Sequence, residues 1–350
     1  MIGARVGLVA VLGALALPTS LISAAQASTA SNPGAAAGDA VVAMGRQDSG
    51  PPVRILHSTN STGATDHVQL VDSGMNSTDV AVIFPRIGGP GGTVTLSPVG
   101  STEPPACSPL RWSAVRSDEH VVVRCNTNAL QPASVHVSFT RAKQPTGTFA
   151  YAFANRPSAQ SYVPDQSHQY ATSGKPMKVT RVARGQYQVR IPHVQTAHGV
   201  VQVTAVGPQL YTCRVVSWKA TSTAAVSDQL VRVACGPQWS APQDSAFTLT
   251  YSAAQNLLGM QGATSGWVHE TAPAATSNTP AQWSSTGAQV KITRTGKAHY
   301  VISGAGFTAG VTCTAAPELP TPTPFIVQWV GSFLQLTNAG NSENICTLTS

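Results

Sequence analysis

The chain has 350 residues, is 42% hydrophobic and 10% charged, and carries 21 Lys and Arg against 14 Asp and Glu, a formal net charge of +7. Such a balance excludes a disordered or strongly acidic polypeptide and calls for a conventional apolar core.

Residues 1–27 read as an export signal: Arg5 supplies the positive start, Val6 to Leu17 the apolar segment, and Ala25-Gln26-Ala27 a small-residue cleavage site. The apolar segment holds 12 residues before Pro18, too few to span a bilayer. The later apolar run Phe325 to Leu336 contains Gln328 and Gln335 and is also too short. A secreted chain with no membrane span after signal removal is expected. Residues 28–52 are small, polar and rich in Gly and Pro without a sustained period, and read as a flexible leader or wall-spanning spacer.

Beyond the leader the apolar pattern has period two. Tyr187-x-Val189-x-Ile191, Leu230-x-Arg232-x-Ala234 and Phe247-x-Leu249-x-Tyr251 are typical short runs, separated by Gly, Pro, Ser and Asn. Val82 to Gly100 and Val189 to Gly207 align without a gap at an offset of 107, with Val82/Val189, Pro85/Pro192, Gly92/Gly199, Val94/Val201, Val99/Val206 and Gly100/Gly207 identical. Each copy then reaches Cys-x4-Trp, at Cys107 to Trp112 and Cys213 to Trp218, with a second cysteine at Cys125 or Cys235. A tandem repeat follows. The expected fold is all-β, three tandem β-sandwich-like (immunoglobulin-like) domains at 53–143, 147–253 and 264–350, the third divergent or truncated. In that third copy Cys313 falls opposite Val203, Cys-x4-Trp is missing, and 33 residues separate Cys313 from Cys346. Either its sheets survive with a relocated bridge, or it is a truncated cap over an exposed edge.

Six cysteines in an exported chain form an even set that should pair. Equivalent residues in equivalent folds have equivalent neighbours, so the repeat selects Cys107 with Cys125 and Cys213 with Cys235. Cys313 and Cys346 pair by elimination.

The repeat motifs resemble a family of tandem β-domain proteins exported by bacteria. Its marks are a Tyr-Ala-x-Ala-Asn-x-Pro start at Tyr151 to Pro157, a hairpin at Val179 to Pro192, a turn at Gly199 to Ala205, a Cys-x4-Trp strand at Cys213 to Trp218 and a final strand at Asp244 to Tyr251. The second copy matches well, the first partly and the third weakly. The resemblance implies repetition and export and adds no activity.

No His-Glu-x-x-His, Gly-x-Ser-x-Gly, phosphate-binding glycine loop or EF-hand loop occurs, so no catalytic residue, cofactor or metal is expected. His193 and His198 come nearest to a metal-ligand spacing, yet Arg86 and Gly91 replace them in the first copy. Trp112 and Trp218 read either as core residues beside a disulfide or as sugar-stacking platforms; their odd separation from the first cysteine would put Cys and Trp on opposite faces of an uninterrupted strand. Tyr151, Tyr162 and Tyr170 form a second candidate platform for sugar stacking.

Charge is the feature the copies share least. Residues 147–253 carry nine basic and three acidic residues, whereas 53–143 carry seven and six and 264–350 three and three. Lys175, Lys178, Arg181, Arg184 and Arg190 cluster in two adjacent strands, either as a site for an anionic polysaccharide or wall polymer or as charges that protect a strand edge from aggregation. Nucleic acid is the less favoured polyanion. The sequence therefore supports a secreted, non-enzymatic binding or structural module of the envelope or medium, against the alternative of an extracellular hydrolase with catalytic residues in the loops of one domain.

Overall fold

The computed structural model describes residues 35–44, 53–73, 77–98, 106–126, 133–142, 147–195, 199–237, 241–253, 265–270, 277–278, 281–284, 287, 289–296, 299–304, 311–315, 325–330, 333–338 and 344–348. The expected signal at 1–27 lies outside them. Within them the chain is all-β, with six sheets and a single 3-10 turn at Gln166–His168.

The first set of strands is β1 (Ala35–Met44), β2 (Val53–Asn60), β3 (His67–Ser73), β4 (Ser77–Phe84), β5 (Thr93–Pro98), β6 (Cys107–Val115), β7 (Asp118–Asn126) and β8 (Ala133–Ala142). They form two sheets, ordered β2-β1-β8-β5 and β3-β4-β7-β6. Alternate residues of both meet in one core: Ala40, Val42 and Met44 of β1, Val80, Val82 and Phe84 of β4, Val121 and Val123 of β7, and Val135, Val137 and Phe139 of β8. Burying each large side chain contributes roughly 1.5–3 kcal/mol.

Strand β1 corrects the expectation of a flexible leader over 28–52. Residues 35–44 pair with β2 on one side and β8 on the other, so they are central in their sheet. The even-numbered positions Ala36, Gly38, Ala40, Val42 and Met44 are buried, and their small size reflects what lies opposite. A Cβ at Gly38 would overlap the ring of the fully buried Phe84, 2.6 Å from Cγ and 2.8 Å from Cε1.

The second set is β9 (Thr148–Ala154), β10 (Ser161–Tyr162), β11 (Gln169–Ala171), β12 (Lys178–Ala183), β13 (Gln186–Gln195), β14 (Gly199–Val206), β15 (Thr212–Ala220), β16 (Val226–Gly236) and β17 (Ala246–Ala253). Its sheets run β11-β9-β17-β14 and β10-β12-β13-β16-β15, around a core of Val179, Tyr187, Val189, Ile191, Val231, Val233, Phe247, Leu249 and Tyr251. The first two copies thus share one sheet plan, with β10 added in the second.

The two copies dock through an edge and a face. Strand β5 ends its sheet, yet its Leu96 N–H donates to Thr204 Oγ1 at 3.1 Å and its Val94 carbonyl accepts from Thr248 Oγ1 at 2.6 Å. Threonines of the second copy thereby close a strand edge that would otherwise offer free backbone groups to another chain. Beside them the Gly207 N–H donates to the Pro109 carbonyl at 2.9 Å, and Trp112 packs on Phe153 with ring centroids 4.7 Å apart.

Both expected disulfides of these copies are present, Cys107–Cys125 and Cys213–Cys235, each joining residues directly opposite on neighbouring strands. The odd spacing from Cys to Trp is resolved by a bulge. In β15 the register shifts between Val215 and Ser217, and in β6 between Pro109 and Arg111. The inserted residue returns the tryptophan to the cysteine's face, and Trp112 and Trp218 both pack partly buried against the cores. Both are core-edge residues.

The third set comprises β18 (Ser265–Glu270), β19 (Ser277–Asn278), β20 (Ala281–Ser284), β21 (Val290–Gly296), β22 (His299–Gly304), β23 (Val311–Ala315), β24 (Phe325–Val330), β25 (Phe333–Asn338) and β26 (Asn344–Leu348). Its sheets, β20-β18-β24-β25 and β19-β21-β22-β23-β26, have as many strands as those of the second copy, so this copy is not a shortened cap. The chain reaches the strand positions in a different order. β23 and β24 occupy the inner places of β16 and β17, and β25 and β26 then fill the edge places of β14 and β15. Two strands therefore intervene between the cysteines, which accounts for their long separation. Cys313 and Cys346 are still register partners, as in the two bridged pairs. Peptide mapping of the protein without reduction is expected to release three linked pairs, 107 with 125, 213 with 235 and 313 with 346. A free thiol at Cys313 would contradict the register of β23 on β26.

Candidate polyanion-binding face

The five-stranded sheet of the second copy turns Val179, Tyr187, Val189, Ile191, Val215, Val231 and Val233 inward, and alternation turns their neighbours outward. Pairing arranges the outward residues in rows. Lys178 lies opposite Arg190, Arg190 opposite Leu230, and Leu230 opposite Lys219. The next row runs Thr180, Gln188, Arg232 and Ser217, and a third Gln186, Ala234 and Arg214. Lys178, Arg190, Arg214, Lys219 and Arg232 are all exposed. With strands about 4.8 Å apart and rows about 6.8 Å apart, the grid covers about 14 by 14 Å.

Asp228 is the carboxylate beside this grid, and it is engaged. It binds the Arg190 guanidinium and accepts the His193 N–H at 3.0 Å. Burial works to raise its pKa, but the His193 amide and Arg190 outweigh that and hold it below the usual carboxylate range. His193 has a left-handed backbone, φ 51°, and its counterpart Arg86, φ 63°, gives its N–H to Asp118 at 3.1 Å. Both copies thus use an aspartate to hold the same strained turn, which gives His193 a backbone role. His198 lies outside the described residues. Among the described residues no three His, Cys, Asp or Glu side chains are grouped to hold a metal ion.

The basic residues singled out from the sequence separate. Lys178 and Arg190 are neighbours on the grid. Lys175 is exposed in the loop before β12, and Arg184 is exposed in the turn after it. Arg181 is not on the face: its Nε and Nη2 bind the two oxygens of Asp244, each at 2.9 Å. Asp244 also accepts the Gly185 N–H at 2.8 Å and the Tyr187 hydroxyl at 3.2 Å. Arg181 chiefly, with those two donors, depresses the Asp244 carboxyl. Arg181 therefore locks the end of the sandwich. Arg214, Lys219 and Arg232 were missed because they are scattered along the sequence; pairing alone brings them together.

The three tyrosines form no shared platform. Tyr151 is 4% exposed, packed on Phe149 and stacked on Tyr170 at a centroid distance of 5.9 Å, on the outer face of the four-stranded sheet. Burial pushes its hydroxyl up to about 12. Tyr162 belongs to the other sheet, leans on the core, and accepts the Arg156 N–H at 3.1 Å. A sugar ring finds no common surface there.

Among the described residues no helix is long and apolar enough to cross a membrane. The chain matches no family model, no curated protein and no solved structure.

Proposed function

We propose that this is a secreted, non-enzymatic module of three tandem β-domains, akin to the exported bacterial repeat proteins it resembles, which holds an anionic polysaccharide or wall polymer on the outer face of its second-copy sheet. The carrying observation is that face: five exposed cations in three rows, with one carboxylate beside them that is already paired. Neighbouring cations of this grid stand about 5–8 Å apart, near the screening length of about 8 Å at physiological salt, so their fields overlap and a linear polyanion meets several at once. The neutral Thr180, Gln188, Ser217 and Gln186 between them offer hydrogen bonds to hydroxyls or ester oxygens. The export signal and the disulfides support an extracellular setting. The hydrolase alternative has no observation of its own in its favour.

The triple variant Arg214→Gln, Lys219→Gln, Arg232→Gln is expected to elute from a glycerol-phosphate or polyuronate column at markedly lower salt than the parent chain. Arg111→Gln with Arg116→Gln, on exposed positions of the first copy, should elute close to the parent. Equal retention of the triple variant and the parent would remove this face from consideration.

A further inference from the structure

Beyond polymer binding, a buried acid lies where the first copy meets the second. Glu119 of β7 is 0% exposed, and its carboxylate has no side-chain hydrogen-bond partner, only the Gly89 amide of the loop 86–92 close by. It lies opposite Phe84 of β4 and Ala114 of β6, at the end of the first core. The loop 86–92 (Arg-Ile-Gly-Gly-Pro-Gly-Gly) covers that end. Ile87 is 1% exposed and plugs the core, the Gly88 N–H donates to the Ser117 carbonyl at 2.8 Å, and Arg141 Nη2 donates to the carbonyls of Ile87 at 3.1 Å and Gly88 at 3.3 Å. A Cβ at Gly88 would strike the Asp118 backbone, so the loop seats only because that residue is glycine, and one at Gly89 would displace the Arg141 guanidinium.

The far side of the loop touches the second copy. Gly91, φ 84°, lies so close to the Ser167 carbonyl that a Cβ would overlap it, and the Gly92 amide bonds the Tyr151 hydroxyl. One short loop therefore has the acid beneath it and the neighbouring copy above it.

The charged groups around Glu119 are few. Arg141 comes from β8; β4 and β6 present Phe84 and Ala114, and the loop presents glycines. Asp118 and His120 flank it on β7 and point to the opposite face, where Asp118 takes the Arg86 N–H and the Ser117 hydroxyl. Arg141 spends hydrogen bonds on the loop carbonyls and makes none to Glu119. The second copy shows what the position tolerates. Counting back from Cys125 and Cys235, Gln229 stands where Glu119 does, is 2% exposed, and lies opposite Ile191 as Glu119 lies opposite Phe84. Arg141 is replaced there by Ala253, since Phe139 and Tyr251 pair with the equivalent Val94 and Val201. Of these two copies only the first has an ionisable group at this place.

We infer that Glu119, enclosed with Arg141 beneath the glycine loop 86–92, is an acid-closed latch on the junction of the first two copies: protonated, it lets the loop seat against Ser167 and Tyr151; ionised, it lifts the loop and loosens the junction. The Gly89 amide alone does not offset the burial of the charge, and the carboxylate gains solvation or the Arg141 guanidinium only if the loop moves, because Arg141 is held by the loop's own carbonyls. Burial lifts the Glu119 pKa to about 7, against the opposing pull of the Gly89 amide and Arg141, so the change falls in a range an extracellular protein meets.

Amide hydrogen exchange on the full chain tests this, read at residues 86–92 and corrected for the intrinsic pH dependence of exchange. Protection of the loop is expected to fall at least about tenfold between about pH 5.5 and about pH 8.5, with a midpoint near 7. In Glu119→Gln it should stay high throughout. Unchanged loop protection in the parent chain across that range overturns the latch, and that measurement needs no variant. A fall of equal size in Glu119→Gln overturns it as well, by assigning the pH dependence to another group.

Discussion

Gly38→Val is expected to destabilise the protein by about 3 kcal/mol, because strand β1 lies against a ring that cannot withdraw. Phe84 is fully buried among Val42, Val82, Val121 and Phe139, so a Cβ that overlaps it forces backbone and ring apart. Valine's better strand propensity returns less than about 1 kcal/mol of that loss. Urea unfolding measures the effect, and the pairing is specific: Phe84→Leu should cost stability alone yet recover part of the loss when combined with Gly38→Val. A Gly38→Val protein with the parent's unfolding midpoint would show that residues 35–44 do not fill the centre of the sheet.

Stability should also decline as pH rises from about 5 to 8, with Glu119 as the cause. The folded protein holds this proton up to about pH 7, whereas an exposed glutamate releases it near 4.5. The buried acid's contribution is therefore complete below about 4.5 and is lost as pH passes through 7, a difference on the order of 3 kcal/mol. Glu119→Gln should flatten this decline and exceed the parent in stability at pH 8 by a similar amount, since the second copy already accommodates glutamine there. On the acid side the sign reverses. Asp118, Asp228 and Asp244 are held below the usual 3.8, so what they contribute is present above that value and lost as pH falls beneath it. Maximal stability is expected at about pH 4 to 5, between the aspartates' loss below 3.8 and the onset of the Glu119 loss above 4.5. Parent and Glu119→Gln proteins losing stability equally up to pH 8 would place the titration elsewhere.

Much of the scaffold was legible in the chain. Period-two apolar runs such as Tyr187, Val189 and Ile191 signalled strands because alternate residues of a strand face one core. The offset of 107 carried the pairing of Cys107 with Cys125 and Cys213 with Cys235, since repeated neighbours imply repeated bridges. The charge excess of residues 147–253 marked the copy whose sheet carries the basic rows, while Lys175, Arg181 and Arg184, named with it, lie off those rows.

What escaped the sequence depended on partners distant along the chain. Ala36 to Met44 looks like a spacer because its small residues have weak hydrophobic periodicity, and their smallness makes sense only once Phe84 is seen to fill the space opposite Gly38. The faces of Trp112 and Trp218 turn on single inserted residues whose bulges appear only against the partner strands. Arg181 reads as a surface charge until Asp244, far along the chain, captures it. Local sequence determined that these segments are strands, how the copies repeat and which cysteines pair, because those properties rest on alternation and equivalence along one chain. Tertiary structure decided which cations share a face, that an acid is buried at the junction, and in what order the third copy's strands fill its sheets. Those outcomes follow from which strand lies beside which, a choice set by packing between residues far apart in the chain.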